Sequence, residues 1–193
     1  MRKFTLILFL MIGITVSGCT GNSTSEAKDD KTVKTSAAKS GEAGKAEWVS
    51  FDKGMERAGK EKKHMIVDFY TDWCHWCKVM DEKTFSNEEV NAELAANFVT
   101  VRIDAEDKNA TATYKGKTYN NVELTQAFGV RGFPSLGFLN SDGEVITLVP
   151  GYVPPETFIY ILKYIDQECY TKQMSFEDFM KKKGECEEDK SKS

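Results

Sequence analysis

Cys74 and Cys77 are the residues of this chain best suited to chemistry, because a Cys-x-x-Cys pair can exchange electrons, hold a metal or carry a haem. The surroundings sort these options. Haem attachment needs a histidine directly after the second cysteine, and residue 78 is Lys78. A structural zinc site wants a second close-spaced ligand pair, which Cys169 and Cys186 do not form. The only histidines are His64 and His75. His75 lies between the cysteines, so a copper or zinc handling site built from Cys74, His75 and Cys77 stands as the alternative to dithiol exchange. For exchange, Cys74 should start a helix, whose dipole and unpaired N–H groups favour a thiolate. The spacing then returns Cys77 to the same helical face, within disulfide reach.

Placing such a helix takes a buried strand before it and a sheet behind it. Met65 to Tyr70 is a short apolar run rich in β-branched and aromatic residues, which predicts a largely buried strand containing one acid, Asp68. Phe51, Met55 and Ala58 lie at helical spacing ahead of it. After the cysteines, the spacing predicts a helix over 87–97, with Ser86 and Glu89 as a capping box, and a strand over 98–104. The polar stretch 108–121 is an insertion, either a small hairpin or a loop. A short helix over 124–128, a turn over 129–134 and strands over 136–139 and 145–149 follow, the strands joined through Asn140-Ser141-Asp142-Gly143, whose Asp-Gly pair favours a tight antiparallel hairpin. Pro154-Pro155 opens a strongly apolar helix, and a shorter one covers 176–183. Phe158, Tyr160, Tyr164, Phe176 and Phe179 are expected to pack between helices. The order implies an α/β domain, a central mixed sheet flanked by helices, with a C-terminal helical extension and a frayed tail over 185–193.

The chain has 193 residues, of which 40% are hydrophobic and 29% charged, enough for one domain with a sizeable core. Its formal charge is −4, which gives no basic field for nucleic acid. Five cysteines leave an odd one for any set of intramolecular disulfides. That odd cysteine sits at the end of a leader. Arg2 and Lys3 precede the apolar run 4–14 and the small-residue sequence Val16-Ser17-Gly18-Cys19, the pattern of a secretory signal peptide too short to span a bilayer comfortably. The last four residues resemble the lipobox of bacterial lipoproteins, which implies removal of residues 1–18 and lipidation of Cys19. Without Arg2 and Lys3 the mature charge is about −6. After Cys19, residues 20–46 have Val33 as their only large aliphatic residue and cannot bury enough apolar surface to fold, so they are expected to be a flexible tether.

The run Met65 to Lys78, MIVDFYTDWCHWCK, resembles the strand and active-site helix of the thioredoxin superfamily, and Gly129 to Leu136 resembles that family's loop bearing a cis-proline. The resemblance covers residues 47–168, leaving 169–193 as the extension. Residues 81–90 are similar to the C-terminal thioredoxin-like domain of the bacterial transmembrane thiol:disulfide interchange protein and to related short periplasmic proteins. It implies that Cys74 attacks a substrate disulfide and Cys77 resolves the mixed disulfide, without a cofactor. It implies that Asp68 is the buried acid that accepts the Cys77 proton, and that Pro134 is cis and sets the Phe133 backbone against an extended substrate. Trp73, His75 and Trp76 would then border the substrate.

Two departures from the family stand out. His75-Trp76 replaces the usual dipeptide between the cysteines, and Thr100 falls where thioredoxins often place a lysine beside the buried acid. In an oxidising envelope, Cys169 and Cys186 are expected to form a structural disulfide. The whole implies a monomeric protein-disulfide oxidoreductase, tied by its lipid to a bacterial cell envelope and facing the periplasm or cell exterior. Its partners would be protein thiols or disulfides and a membrane electron donor.

Overall fold

Alternating runs of β-branched residues become strands of one five-stranded sheet in the computed structural model, which describes residues 45–186. These residues fall in one compact unit, Ser40–Ser193. The lipidation candidate Cys19, the leader and most of the tether lie outside the described residues, as does the tail beyond Cys186. The strands are β1 (Trp48–Val49), β2 (His64–Tyr70), β3 (Phe98–Asp104), β6 (Ser135–Leu139) and β7 (Val145–Pro150), in the order β1-β3-β2-β6-β7. β2 and β3 run parallel, whereas β6 is antiparallel to β2 and to β7. The expected mixed sheet is therefore present. The two-residue β1 lacks the length for a periodic signal.

Helices cover both faces because β2 is apolar on both. On one face α1 (Phe51–Glu61) and α4 (Asn121–Ala127) pack Phe51, Ala58 and Leu124 against Met65, Val67 and Phe69. Gly54 lets α1 approach the sheet, since a Cβ there would collide with Val101 Cγ2. On the other face lie α2 (His75–Met80), a π-helical turn (Asp81–Phe85), α3 (Glu88–Asn97) and α5 (Pro155–Asp166). They bury Met80, Phe85, Leu94, Phe158 and Leu162 against Ile66, Leu136 and Phe138. No helix among the described residues is long and apolar enough to cross a membrane.

Two local expectations change. α3 is capped by Asn87, whose side chain accepts the Val90 N–H at 3.2 Å, rather than by Ser86. The π-helical turn carries Ser86 past the capping position, and its hydroxyl donates to the Glu82 carbonyl at 2.6 Å. α4 starts three residues earlier than the apolar pattern indicates, because Asn120 and Glu123 form a reciprocal capping box. The expected antiparallel β6–β7 hairpin is present, and its connection spans 140–144, where Asn140 Oδ1 accepts the N–H groups of Asp142 and Glu144 and Gly143 takes a φ of +83°. The insertion is a hairpin, β4 (Thr111–Tyr114) with β5 (Lys117–Asn120).

Beyond α5, a loop leads to α6 (Phe176–Lys181). The extension is anchored by ring contacts of Tyr164 with Phe176 and Phe179, centroids 5.5 and 5.4 Å apart, and of Tyr160 with Phe179 at 6.5 Å. These aromatic residues pack between helices as their spacing suggests.

Candidate functional site

The turn after β2 delivers Cys74 to a helix start. The Cys74 N–H donates to the Thr71 carbonyl at 3.2 Å, and the Cys74 carbonyl accepts the first helical bond, from Lys78 N–H, at 3.3 Å. Cys74 is the N-cap of α2, and its Sγ accepts the Cys77 N–H at 3.1 Å. This sulfur thus takes the place of a capping oxygen, where the dipole and free N–H groups stabilise negative charge. Cys74 and Cys77 are joined by a disulfide with Cα atoms 5.3 Å apart. Both are buried, while the rim beside them is open: Trp73 is 66% exposed and Trp76 54%.

The Pro134 loop reaches the same end of the molecule through Phe133. The Phe133–Pro134 bond is cis, as the family resemblance implies. The loop is held by a Gly151 N–H bond to the Pro134 carbonyl at 2.8 Å and by Ser135 Oγ donating to Gly132 O at 2.7 Å. Phe133 meets Trp73 edge-on with centroids 6.2 Å apart, and the Trp73 indole N–H donates to Glu106 Oε2 at 2.9 Å. Trp76 stacks at a 30° tilt on Tyr152, 5.5 Å away, and His75 lies edge-on to Trp76. Trp76 and Phe133 line one hollow, which joins these two sets of rings into a rim. Among the described residues, no group of three or more His, Cys, Asp or Glu side chains could hold a metal ion.

Asp68 is 1% exposed, so an orientation toward solvent is excluded. Its Oδ2 lies 3.2 Å from Arg102 Nε, an ion pair whose N–H is not aligned for a hydrogen bond. Asp68 Oδ1 and Thr71 Oγ1 have no hydrogen-bond partner among the described residues. Burial pushes the Asp68 carboxyl up to about 7, against the lowering pull of Arg102 and with a smaller upward push from Asp81. Arg102 is shared: its Nη2 donates to Asp81 Oδ2 at 2.8 Å, and its guanidinium lies 4.4 Å from the Tyr70 ring centre. Thr100 does leave the familiar lysine position empty of charge. Its hydroxyl donates to the Glu47 carbonyl at 2.7 Å, and Arg102, paired in register with Asp68, supplies the cation.

A family profile described as the thioredoxin-like domain matches residues 51–166. The chain belongs to the thioredoxin-like domain family. Among curated relatives of this thioredoxin-like chain, Disulfide bond reductase DsbH of Chlamydia pneumoniae is 25% identical over 122 residues, 63% of this chain and 72% of that protein. Thiol:disulfide interchange protein DsbD of Pseudoalteromonas atlantica is 28% identical over 110 residues, 56% of this chain but only 17% of that larger protein. A solved thioredoxin-fold protein from Helicobacter pylori superposes with a TM-score of 0.52 at 21% identity, over 63% of this chain and 80% of that one, a likeness of fold.

Four residues of the thioredoxin-like site escape a reading of the sequence. Arg102 carried a signal, since matching β2 to β3 in parallel register puts it opposite Asp68. Asp81 joins through its ion pair with Arg102 and its charge on Asp68. Glu106 and Tyr152 lie in loops outside any motif, and nothing in their spacing marks them. Cys169 and Cys186 form the expected second disulfide, in the C-terminal extension.

Proposed function

We propose that this protein is a thiol:disulfide oxidoreductase of the bacterial envelope that reduces protein disulfides. The observation that carries the reading is Cys74 capping α2 and bridged to Cys77 beside an open aromatic rim. The names of its relatives, a disulfide bond reductase and a thiol:disulfide interchange protein, support it. In each cycle the Cys74 thiolate attacks a substrate sulfur; the substrate S–S bond breaks and one substrate thiolate leaves. The Cys77 thiolate then attacks Cys74 Sγ, closing the protein disulfide and releasing the second substrate thiolate. Two electrons and two protons pass from the protein dithiol to the substrate. A dithiol protein at the membrane regenerates the reduced pair.

Asp68 accepts the Cys77 proton during resolution; its buried position and raised titration range suit a base that is partly ionised near neutral pH. Pro134 and Phe133 align the incoming segment, while Trp73, His75 and Trp76 border it. Cys19 carries the lipid after removal of residues 1–18, and residues 20–46 tether a monomeric domain that faces the periplasm or cell exterior. Cys169 and Cys186 hold the extension in place. The test is turnover of insulin by the full-length protein with dithiothreitol as electron source: catalysed precipitation that is lost in Cys74→Ser supports the reading, and activity retained in that variant contradicts it.

A further inference from the structure

Phe133 lines two hollows that continue the rim in different chemical directions. One, of about 370 Å³, is formed by Trp76, Phe133, Gly151 and Tyr152 and is almost wholly aromatic. The other, of about 450 Å³, has Val122, Val130 and Phe133 among its walls and carries Glu106, Lys108 and Arg131. Trp73 connects it to the reactive motif, touching Phe133 and donating to Glu106. The carboxylates around this second hollow are engaged in exposed local hydrogen bonds. Asp104 accepts the Glu106 N–H at 3.0 Å, Asp107 accepts the N–H groups of Asn109 and Ala110 at 2.7 and 3.1 Å, and Glu106 holds the indole. Lys108 and Arg131 have no ion-pair partner among the described residues. A chain of net charge −4 thus presents two unpaired cations next to its exchange site.

We propose that the site selects extended protein segments whose reactive cysteine has a bulky aromatic or aliphatic residue two positions to one side and an acidic residue two positions to the other. The apolar side chain seats against Trp76 and Tyr152, and the carboxylate meets Lys108 and Arg131 across Phe133. The proposal rests on the exchange reading and names its substrate class. Small disulfides satisfy it poorly: oxidised glutathione offers carboxylates but no apolar side chain for the aromatic hollow. In extended backbone, residues two apart point to the same face, so the residues two before and two after the cysteine turn toward the protein with it, which suits two hollows parted by one ridge.

The test is a single turnover with full-length protein whose dithiol has been reduced and freed of reductant. Each turnover converts one peptide disulfide to two thiols and the protein dithiol to its disulfide. Peptide disulfides place Trp or Ala two residues to one side of the cysteine and Glu or Lys two residues to the other, in both orders. The expected rate ratios are about tenfold for Trp over Ala and about fivefold for Glu over Lys, the second shrinking at high ionic strength. Tyr152→Ala should flatten the first ratio, and Lys108→Glu with Arg131→Glu should invert the second. Equal rates for all peptides, or ratios that the variants leave unchanged, overturn this proposal alone. Failure of every peptide to oxidise the dithiol overturns the exchange reading and this proposal with it.

Discussion

The two disulfides of this chain occupy opposite kinds of ground. Cys74 begins a helix, accepts a backbone N–H on its sulfur and stands beside two exposed tryptophans. Cys169 follows the end of α5, is wholly buried, and belongs to an extension held by many other contacts. There the Cys186 N–H donates to Gln167 Oε1 and Gln167 Nε2 donates to the Gly184 carbonyl, each at 3.1 Å. The Tyr164 hydroxyl donates to the Met174 carbonyl at 2.6 Å, and His64 Nε2 lies 3.2 Å from the Tyr170 hydroxyl. The contrast teaches that a disulfide acquires chemistry from its setting. A sulfur at a helix start with an open approach can leave and return as a thiolate; a sulfur enclosed by side chains serves to restrict the chain.

The largest effect that separates the two regions is on turnover. Cys74→Ser should lower insulin reduction by at least about a thousandfold, whereas replacing both Cys169 and Cys186 by serine should leave it within about twofold, measured under identical dithiothreitol. A large loss from the second pair would erase the distinction. The next effect lies in the buried acid near the reactive end. Asp68 has a folded-state value of about 7 against an ordinary 3.8, so the folded state binds its proton more tightly. That contribution to stability is complete below the ordinary value and is lost as pH rises toward 7. Asp68→Asn should therefore be more stable than the parent at about pH 8, by on the order of 4 kcal/mol, with the gain vanishing in strong acid. Urea unfolding across pH measures it, and the same variant should lose the inflection near neutrality in the rate of Cys77 attack. Arg102→Gln should shift that inflection upward, because its cation pulls the Asp68 value down.

On the other side of the comparison, opening the Cys169–Cys186 bridge, which closes a loop with a sequence separation of 17, should cost about 3 kcal/mol in urea unfolding. The smallest effect sharpens the same region. Gln167→Ala removes two hydrogen bonds that hold the Cys186 segment and should cost about 1 kcal/mol with no change in turnover. A turnover defect in that variant would tie the extension to the chemistry.

How far the sequence discloses this arrangement differs between the same two regions. The reactive end was largely legible, because Cys-x-x-Cys, the preceding apolar strand and Phe133-Pro134 are local patterns whose order carries the fold. Its electrostatics were not. Arg102 is identified only by the parallel register of β2 on β3, and Thr100, in the position where a cation is usual, pointed away from it. Tyr152 and Glu106 reach the rim from loops that tertiary packing alone brings there. At the other end, the second disulfide followed from the cysteine count and the expected compartment, while its hydrogen-bonded support did not, since Gln167 has no patterned partner. The cap of α3 shows the same limit on a small scale: a π-helical turn moved the helix start by one residue, and Asn87 took the place that Ser86 held by spacing.

The central claim, that exchange begins at Cys74 alone, is tested most directly by trapping. Full-length Cys77→Ser protein, reacted with a peptide disulfide and then alkylated and mapped, should carry the peptide on Cys74 with the Cys169–Cys186 bridge intact. A peptide found on Cys169 or Cys186, or an unreacted Cys74, would contradict the account.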